Sequence, residues 1–179
     1  GTTAGTYTYG YTICEILNPA NCDTATATIV VGAPVVDAVD DPLGTFNGYI
    51  GATTASVLAN DTINGFAATI TNVVLTPGAA PTPAVGSILM NPDGTVTVAA
   101  GTTAGTYTYA YTICDVINPA NCDTAVATII VVPATVDAVD DSGSVASGAT
   151  GGTAIASVLT NDTLNGAPVI PSEVTITPG

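Results

Sequence analysis

The sequence predicts an all-β protein made of tandem antiparallel β-sandwich repeats. Three observations lead to this fold class. The 179-residue chain is rich in Thr, Val, Ile and Tyr, which favour strands, while its 19 Gly and 12 Pro supply turns. Polar and apolar residues alternate with a period of two, and no segment shows the period of a helix. The sequence also repeats itself after about 100 residues.

The repeat is defined by two pairs of matched stretches. Residues 1–41 match 101–141 at 31 of 41 positions without a gap, and 56–66 match 157–167 after an insertion of one residue. A repeat of about 100 residues has the size of an immunoglobulin-like sandwich. The predicted division is the C-terminal strands F and G of one repeat in 1–35, a complete repeat in 36–135, and the N-terminal strands A to C of the next in 136–179.

Each strand of the complete repeat is predicted from its local pattern. Alternating Tyr and Thr predict the sixth strand, and the apolar run 129–132 ends the seventh. Three prolines between 76 and 83 separate two strands, and Asn-Pro-Asp-Gly at 91–94 is a strong turn signal. The predicted strands are A at 35–40, B at 53–59, C at 68–76, D at 84–90, E at 95–99, F at 105–114 and G at 122–132.

Two rows of tyrosines lie on one face of their strands by the same alternation. The rows are Tyr7, Tyr9, Tyr11 and Tyr107, Tyr109, Tyr111. We predict that these rings pack in the core of the sandwich. A platform that stacks against carbohydrate rings is the alternative.

The composition excludes several classes of partner. The chain contains no Lys, Arg or His and has a net charge of −14, which excludes nucleic-acid binding by a basic surface and argues against docking on anionic lipid. Only 8% of the residues are charged and 47% are hydrophobic, so the chain is not a disordered acidic tail. No apolar run approaches the roughly 18 residues of a membrane span. Without an initiator Met or a signal-peptide pattern, the sequence is expected to be an interior piece of a longer protein.

The four cysteines form two local pairs, Cys14 with Cys22 and Cys114 with Cys122, and each pair brackets Asn-Pro-Ala-Asn. We predict a disulfide across the mouth of each hairpin. A zinc site is the competing interpretation, although two thiolates without His and without the CxxC spacing are poor zinc ligands. Closing so short a loop stabilises a fold by about 2–3 kcal/mol in the chain-entropy model and implies an oxidising, extracellular setting.

A short acidic stretch recurs at the joint between repeats. Residues 36–41 read Val-Asp-Ala-Val-Asp-Asp, and residues 136–141 are identical. Carboxylates this close repel one another unless a cation neutralises them, and the chain has no basic side chain. Calcium is a hard ion that takes about six to eight oxygen ligands. The sequence therefore predicts calcium at the joints.

The predicted strand order places all seven acids of the complete repeat at or near one end of the sandwich. Asp61 follows strand B, Asp93 lies in the D–E turn, and Asp115 and Asp123 flank the F–G loop. The alternative is that 60–62 is only a turn whose side chains cap backbone groups. The predicted calcium ligands are Asp37, Asp40, Asp41, Asn60 and Asp61 at the first joint and Asp137, Asp140, Asp141, Asn161 and Asp162 at the second.

Four motifs follow one another in the complete repeat: Ala-Val-Asp-Asp at 38–41, Ser-Val-Leu-Ala-Asn-Asp-Thr at 56–62, Asn-Pro-Asp-Gly-Thr-Val-Thr-Val at 91–98 and Tyr-Thr-Tyr-Ala-Tyr-Thr-Ile-Cys at 107–114. This order resembles the bacterial cadherin-like (VLxND-type) tandem repeats of large secreted surface adhesins. The Cys-bracketed insertion is similar to the version in Bacteroidota surface proteins. The resemblance covers the whole chain and implies Ig-like, cadherin-like modules of a stalk or filament, often stiffened by calcium. Many family members carry abundant charged side chains, whereas here the acids are few.

Four Asp-Thr-aliphatic tripeptides are similar to sites where Bacteroidota attach O-glycans. Such tripeptides also arise easily in a Thr-rich chain. The corresponding glycosylation sites are Thr24, Thr62, Thr124 and Thr163.

The favoured function is a structural module of an extracellular fibre or adhesin stalk at the bacterial cell surface. Near-identical repeats favour uniform mechanics over distinct chemistry, and neighbouring copies are the expected partners, assembled in one version by strand complementation. The alternative is an adhesive module that binds a glycan or a protein. We expect no enzyme, because the acids lie in joints and turns and the chain lacks His, Lys and Arg.

Overall fold

The computed structural model describes residues 1–82 and 87–178 and confirms the all-β fold class. Fifteen strands and one 3-10 turn, Val57–Ala59, make up its regular structure in these residues. The strands are β1 Gly5–Cys14, β2 Cys22–Val31, β3 Val36–Asp37, β4 Asp41–Asn47, β5 Ala52–Ser56, β6 Thr62–Ile63, β7 Phe66–Ala67, β8 Val73–Pro77, β9 Ile88–Met90, β10 Thr95–Val98, β11 Gly105–Asp115, β12 Cys122–Val132, β13 Val136–Asp137, β14 Thr163–Leu164 and β15 Ala167–Pro168.

Two sheets enclose the core between Val57 and Val131. One sheet has the order β4-β12-β11-β8 and the other β5-β10-β9. Apolar residues alternate inward along β11 and β12, so each strand buries one face. The largest fully buried apolar side chains are Tyr111, Ile88, Ile113, Ile129, Val57, Val73, Val96 and Val98.

The first and last long strands of this sandwich run parallel to each other. Strand β4 pairs with β12 from Asp41 opposite Ala127 to Asn47 opposite Val132. All other paired strands are antiparallel in the part of the chain that the structure describes. The ladder shifts between Thr128 and Ile129, where Gly44 has a φ of +109° that favours glycine.

The two copies of the F–G hairpin have the same register but different surroundings. Strands β1 and β2 pair from Gly5 opposite Val31 to Cys14 opposite Cys22, and β11 and β12 repeat this pairing one hundred residues later. Tyr109 is 5% exposed, whereas Tyr9 is 70% exposed. The predicted core role of the tyrosine rows is therefore confirmed for β11, while the row on β1 has no second sheet against it in the described residues.

Both predicted disulfides are present. Cys14 is bonded to Cys22 and Cys114 to Cys122, and each pair faces across the two strands of its hairpin. No free cysteine remains in the described residues. The disulfide interpretation is confirmed over the zinc alternative.

Strand A was predicted at 35–40, but only its residues Val36 and Asp37 form a strand. The long first strand, β4, begins at Asp41, one residue after the predicted strand ended. Residues 38–40 are instead held by hydrogen bonds to side chains. The Asp123 carboxylate accepts a hydrogen bond from the backbone amide of Ala38, and the Asp61 carboxylate accepts one from the backbone amide of Val39. The Pro and Gly residues after Asp41 concealed β4, because such residues normally weaken a strand.

The region predicted as strand B and the B–C loop is also more structured than expected. Strand β5 ends at Ser56, whose hydroxyl accepts the Leu58 amide and caps the 3-10 turn. Residues 62–67 form the hairpin β6–β7 around Asn64 and Gly65, which have φ values of 51° and 76°. Two positive φ values at Asn-Gly are typical of a type I′ turn, so the sequence carried this signal.

Strands C to G were predicted with mixed accuracy. Strand C, predicted at 68–76, begins only at Val73 as β8, because Asn72 binds the Thr69 amide and the Ala67 carbonyl and closes a turn there. Residues 84–86 of predicted strand D lie outside the described residues, and 88–90 form β9. Strands E, F and G are confirmed as β10, β11 and β12, with F one residue longer and E one residue shorter than predicted.

No helix in the described residues is both long and apolar enough to pass through a lipid bilayer.

The repeat supplies a matched test of the core. We expect Ile113→Ala to lower the free energy of unfolding by about 2–5 kcal/mol, because the deletion leaves a cavity around a fully buried side chain. The control Ile13→Ala makes the same change at a 66% exposed position, where surface substitutions cost about 0.5 kcal/mol or less. Urea unfolding at low protein concentration measures both. Equal losses would contradict the assignment of β11, rather than β1, to the packed core.

Candidate functional site

The hydroxyl of Tyr111 lies buried at the joint end of the sandwich. It donates to Asp41 Oδ2 at 2.8 Å and lies 3.1 Å from both carboxylate oxygens of Asp61. The carbonyl oxygens of Val39 and Val57 are 3.2 and 3.3 Å away. One phenol thus connects the linker, strand β4 and the turn after β5.

The joint carboxylates bind backbone amides as well. Asp61 Oδ1 accepts the Val39 amide at 2.8 Å, and Asp123 Oδ2 accepts the Ala38 amide at 2.9 Å. Asp40 Oδ1 accepts the amide of Val126 at 2.8 Å. Carboxylates that accept amide hydrogen bonds make charge-assisted contacts, which are stronger than neutral ones. The acidic joint is therefore fastened to both β12 and the 60–61 turn without a basic side chain.

Burial dominates the electrostatics at this point. Desolvation raises the pKa of Asp41 to about 6, and repulsion from Asp61 adds to the rise while the Tyr111 hydroxyl partly opposes it. Burial also raises the pKa of Asp61, against the hydrogen bonds from the Val39 amide and Tyr111. The pKa of Tyr111 is raised by burial and by the two carboxylates, so its proton stays on the phenol as the donor.

Asp93 and Asp115 belong to separate local turns. Asp93 Oδ1 accepts the amide and the hydroxyl of Thr95, and these bonds lower its pKa. Asp115 accepts from the Asn118 side chain and the Ile117 amide, which also lower its pKa. These two acids serve the local turns in which they lie.

The predicted ligand set is thus only partly assembled around one point. Asp41 and Asp61 meet at Tyr111, while Asn60 donates to the carbonyls of Val39 and Asp40. Within residues 1–82 and 87–178, no group of three or more acidic, Cys or His side chains is placed to hold a metal ion. The donors have the chemistry that calcium prefers, and the geometry uses them for amides and a phenol. Calcium at these residues stays a prediction.

The second joint repeats part of this geometry. Val139 donates its amide to Asp162 Oδ1 at 2.8 Å, and Asn161 donates to the Asp140 carbonyl at 3.3 Å. Strand β13 pairs with β14 as β3 pairs with β6. The counterpart of Tyr111 is missing from residues 136–178, since that segment contains no tyrosine.

Asparagines fix the linker that precedes each joint. The side-chain oxygen of Asn64 accepts a hydrogen bond from the backbone amide of Val35 at 2.9 Å. The backbone amide of Asn64 in turn donates to the Val35 carbonyl at 2.8 Å. Asn165 makes the same pair of bonds with Thr135 and also accepts from Asn47 at 3.0 Å. Asn47 ends strand β4 of the complete repeat, so this contact joins that repeat to the next segment.

Sequence reasoning identified the acids but missed the phenol. Tyr111 was assigned to the core through its alternation, which does not indicate where its hydroxyl lies. The signal that could have found it is the coincidence of a buried Tyr with acids that have no basic partner, because a buried hydroxyl needs an acceptor. Every buried side-chain oxygen and nitrogen of the described residues has a hydrogen-bond partner.

The predicted glycosylation sites differ in accessibility. Thr24 and Thr124 are exposed on β2 and β12, whereas Thr62 and Thr163 are partly buried in β6 and β14. Glycosylation at all four positions stays a prediction.

No protein-family model matches the sequence, and no curated protein matches it either. Solved structures that are similar to parts of it include the following three. A SusE-like surface-located polysaccharide-binding protein from Bacteroides thetaiotaomicron is 16% identical, with a TM-score of 0.35 over 57% of this chain and 15% of that one. Mouse clustered protocadherin PcdhgC3 EC1-3 is 15% identical, with a TM-score of 0.37 over 72% and 43%. Human protocadherin-24 EC1-2 is 18% identical, with a TM-score of 0.38 over 71% and 66%.

The chain therefore spans between 15% and 66% of the lengths of these three structures. The resemblance to bacterial cadherin-like repeats rests on the motifs of the sequence. The β-sandwich itself is established by the two sheets and their shared core.

The raised pKa of Asp41 predicts an unusual pH dependence. A carboxyl whose pKa is higher in the folded state binds more protons there than in the unfolded state, so its contribution is complete below about pH 4 and is lost as the pH rises through 6. We expect the free energy of unfolding to be about 2 kcal/mol larger at pH 4.5 than at pH 7. Urea unfolding at both values measures the difference.

Asp41→Asn is the matched control for this experiment. The amide keeps the shape and an acceptor for Tyr111 but does not titrate, so the part of the pH dependence that Asp41 contributes should disappear, while the raised pKa of Asp61 leaves a remainder of the same sign. A wild-type protein that is equally stable at both pH values, or an Asn variant with an unchanged dependence, would contradict the assignment to Asp41.

Proposed function

We propose that this chain is a structural module of an extracellular fibre or adhesin stalk. Residues 36–135 form its complete repeat, and 1–35 and 136–179 belong to the neighbouring ones. In this proposal the repeats transmit tension along the stalk, and the joints keep successive repeats from bending freely.

The observation that carries this proposal is the parallel pairing of β4 with β12. The linker enters β4 at Asp41, and the chain leaves β12 at Val132. Tension on the two linkers pulls these parallel strands in opposite directions along their own axes. The ladder from Asp41 to Asn47 then bears the load in shear, with its hydrogen bonds loaded together rather than one after another. Such an arrangement resists pulling and suits a stalk.

The disulfides support the same setting. The Cys114–Cys122 bond closes the β11–β12 hairpin, and the Cys14–Cys22 bond closes its first copy. Disulfides persist in oxidising compartments such as the cell exterior. Each disulfide also prevents tension from extending the hairpin loop that it closes.

Calcium at the joints is the second element of the proposal. It is supported by the charge balance, because 14 acids have no basic side chain to neutralise them. The buried pair Asp41 and Asp61 repel each other across the Tyr111 hydroxyl. An ion near the outer carboxylates of the joint, such as Asp37, would relieve this repulsion.

Assembly of neighbouring copies by strand complementation is the third element. It is supported by the β1–β2 hairpin, which is formed and disulfide-closed while its apolar face stays exposed. This exposed face also supports the alternative function, an adhesive module that binds glycan or protein, since Tyr9 is available for stacking. A glycan array separates the two: binding that Tyr9→Ala abolishes would favour the adhesive module.

Single-molecule pulling on the full chain tests the stalk function. The Gly48 amide donates to the Val132 carbonyl at 2.9 Å, and alternation by two places the Phe46 amide on the same edge of β4. Phe46→Pro removes this amide from the ladder, at a cost of about 1 kcal/mol at equilibrium. We expect a distinctly lower rupture force than for wild type.

Phe46→Ala is the control. Like Phe46→Pro it removes the phenyl ring, but it keeps the backbone amide that donates to the ladder. It should retain more of the rupture force than Phe46→Pro does. Indistinguishable rupture forces for the two variants would show that the β4–β12 ladder does not carry the load.

Calcium binding is tested by thermal unfolding of a chelated sample. For a dissociation constant of about 10⁻³ M, typical of extracellular modules, 10 mM calcium should stabilise the fold by about 1.4 kcal/mol. Magnesium at the same concentration is the control, since it screens the net charge equally. If calcium stabilises the fold no more than magnesium does, calcium does not bind at the joints. Hydrogen bonds alone would then hold the joints together.

A further inference from the structure

The loop between β11 and β12, residues 115–121, contacts the segment that precedes the complete repeat. The side-chain oxygen of Asn118 accepts a hydrogen bond from the backbone amide of Ala4 at 2.6 Å. The side-chain nitrogen of Asn121 donates to the backbone carbonyl of Pro34 at 2.7 Å. Ala4 lies immediately before β1 and Pro34 lies after β2, so one loop binds both ends of the preceding F–G hairpin.

The two contact points are placed to restrain this hairpin. Because β1 and β2 pair antiparallel, Ala4 and Pro34 lie on opposite sides of its open end. Both residues are partly buried, whereas their neighbours Thr3 and Ala33 are exposed. Two contacts on opposite sides restrain the bending and twisting that a single covalent linker permits.

Hydrogen bonds within the loop give it a defined shape. The backbone amide of Asp115 donates to the Asn121 carbonyl at 3.0 Å, and the Asn121 amide donates to the Asn118 carbonyl at 2.8 Å. The same two backbone bonds close the first copy of the loop, residues 15–21, at 2.9 and 2.8 Å. A disulfide joins the strands at the base of each loop. The loop therefore presents its two asparagines in a preorganised arrangement.

Asp115 orients the side chain of Asn118. Its carboxylate accepts a hydrogen bond from the Asn118 side-chain nitrogen at 2.6 Å and another from the Ile117 amide at 2.9 Å. These bonds lower the pKa of Asp115, so the carboxylate stays ionised as an acceptor at neutral pH. With the nitrogen of Asn118 bound to a carboxylate, its oxygen is left to accept from Ala4. Asp115 is thus a positioning residue for this contact.

The loop recognises backbone groups of its partner. It binds one amide and one carbonyl, which almost any residue can offer, so the contact does not depend on a particular side chain. The repeat places Ala104 and Ala134 at the positions of Ala4 and Pro34. The same two backbone groups therefore recur beside the F–G hairpin of the complete repeat.

We infer that loop 115–121 is a docking element that binds the preceding repeat through Asn118 and Asn121 and sets the angle between the two repeats. This inference rests on the proposed function and deepens it, because a stalk needs joints that do not bend freely. It assigns the stiffness of the joint to a disulfide-closed loop and requires no calcium. Because the Cys114–Cys122 bond holds the loop in shape, the stiffness should also depend on that bond.

Residual dipolar couplings test the angle by NMR on the full chain in a chelated sample. The amides of β1–β2 and β11–β12 are matched reporters, because the two hairpins have the same register. In wild type, one alignment tensor should fit both sets of couplings. The double substitution of Asn118→Ala and Asn121→Ala should preserve the β11–β12 couplings and reduce those of β1–β2, since that hairpin then moves relative to the complete repeat.

The control makes the same substitutions in the first copy of the loop. The side chains of Asn18 and Asn21 both donate to Glu15 within that loop. Asn18→Ala with Asn21→Ala should therefore leave one tensor for both hairpins. A wild-type chain that needs two tensors, or an Asn118 and Asn121 double variant that still needs only one, would overturn the inference.

The disulfide is tested in the same way. Cys114→Ser with Cys122→Ser should reduce the β1–β2 couplings, whereas Cys14→Ser with Cys22→Ser should leave one tensor for both hairpins. The β11–β12 couplings report in the same spectrum whether the complete repeat is folded. If it is folded and one tensor still fits, the joint does not depend on the disulfide. If it is not folded, the asparagine variants decide the docking, because they keep the disulfide.

Hydrogen exchange tests the positioning role of Asp115. Asn118→Ala should make the Ala4 amide exchange about fivefold faster, the factor expected for one lost hydrogen bond. Asp115→Ala should also speed this exchange, although Asp115 makes no hydrogen bond to Ala4. Adding Asp115→Ala to Asn118→Ala should give no further increase, because Asp115 acts through Asn118. A further increase in the double variant would contradict the positioning role.

Failure of the inference and failure of the stalk function are distinguishable. The pulling experiment loads the β4–β12 ladder, which lies within the complete repeat and contains neither Asn118 nor Asn121. Two alignment tensors in wild type, together with a lower rupture force for Phe46→Pro, would overturn the docking role of the loop and keep the load-bearing ladder.

Discussion

The buried hydroxyl of Tyr111 between Asp41 and Asp61 is the contact on which the rest of the repeat depends. Its donor proton satisfies acceptors from the start of β4 and the turn after β5, and β11 carries the phenol. A buried carboxyl without a partner would be costly. Burial keeps the pKa of Asp41 high, so protons stabilise this contact. The contact thereby holds β4, β11 and the turn after β5 together at one end of the sandwich.

The hydrogen bonds of the acidic joint show that it is not a free linker. Carboxylates on a linker suggest a hinge that a cation closes, yet here Asp123 and Asp40 bind amides across the linker and β12. Asn64 and Asn165 add paired bonds to the linker residues Val35 and Thr135. The joint is thus an extension of the sandwich, and in the proposed stalk it would pass tension directly to the β4–β12 ladder.

The segments on either side of the complete repeat each hold a counterpart of one part of this contact. A repeat needs its F–G hairpin to supply both the phenol and the partners of two strands. Residues 136–178 contain no such hairpin, and there a groove lined by Val139, Asp141, Val158 and Asp162 stays open while 141–147 and 174–178 form no strands. Where only the hairpin is present, in β1–β2, the strands persist through local pairing and a disulfide while their apolar face is exposed.

The sequence by itself determined the fold class, the disulfide pairs and strands F and G, because alternation, short Cys spacing and a repeat are local signals. It did not reveal β4, since Pro42 and Gly44 conceal a strand whose partner β12 lies far along the chain. It placed Asp41 and Asp61 near each other but could not assign their partner. Only the tertiary structure decided that a phenol lies between them, because the direction of the Tyr111 hydroxyl depends on how the two sheets pack.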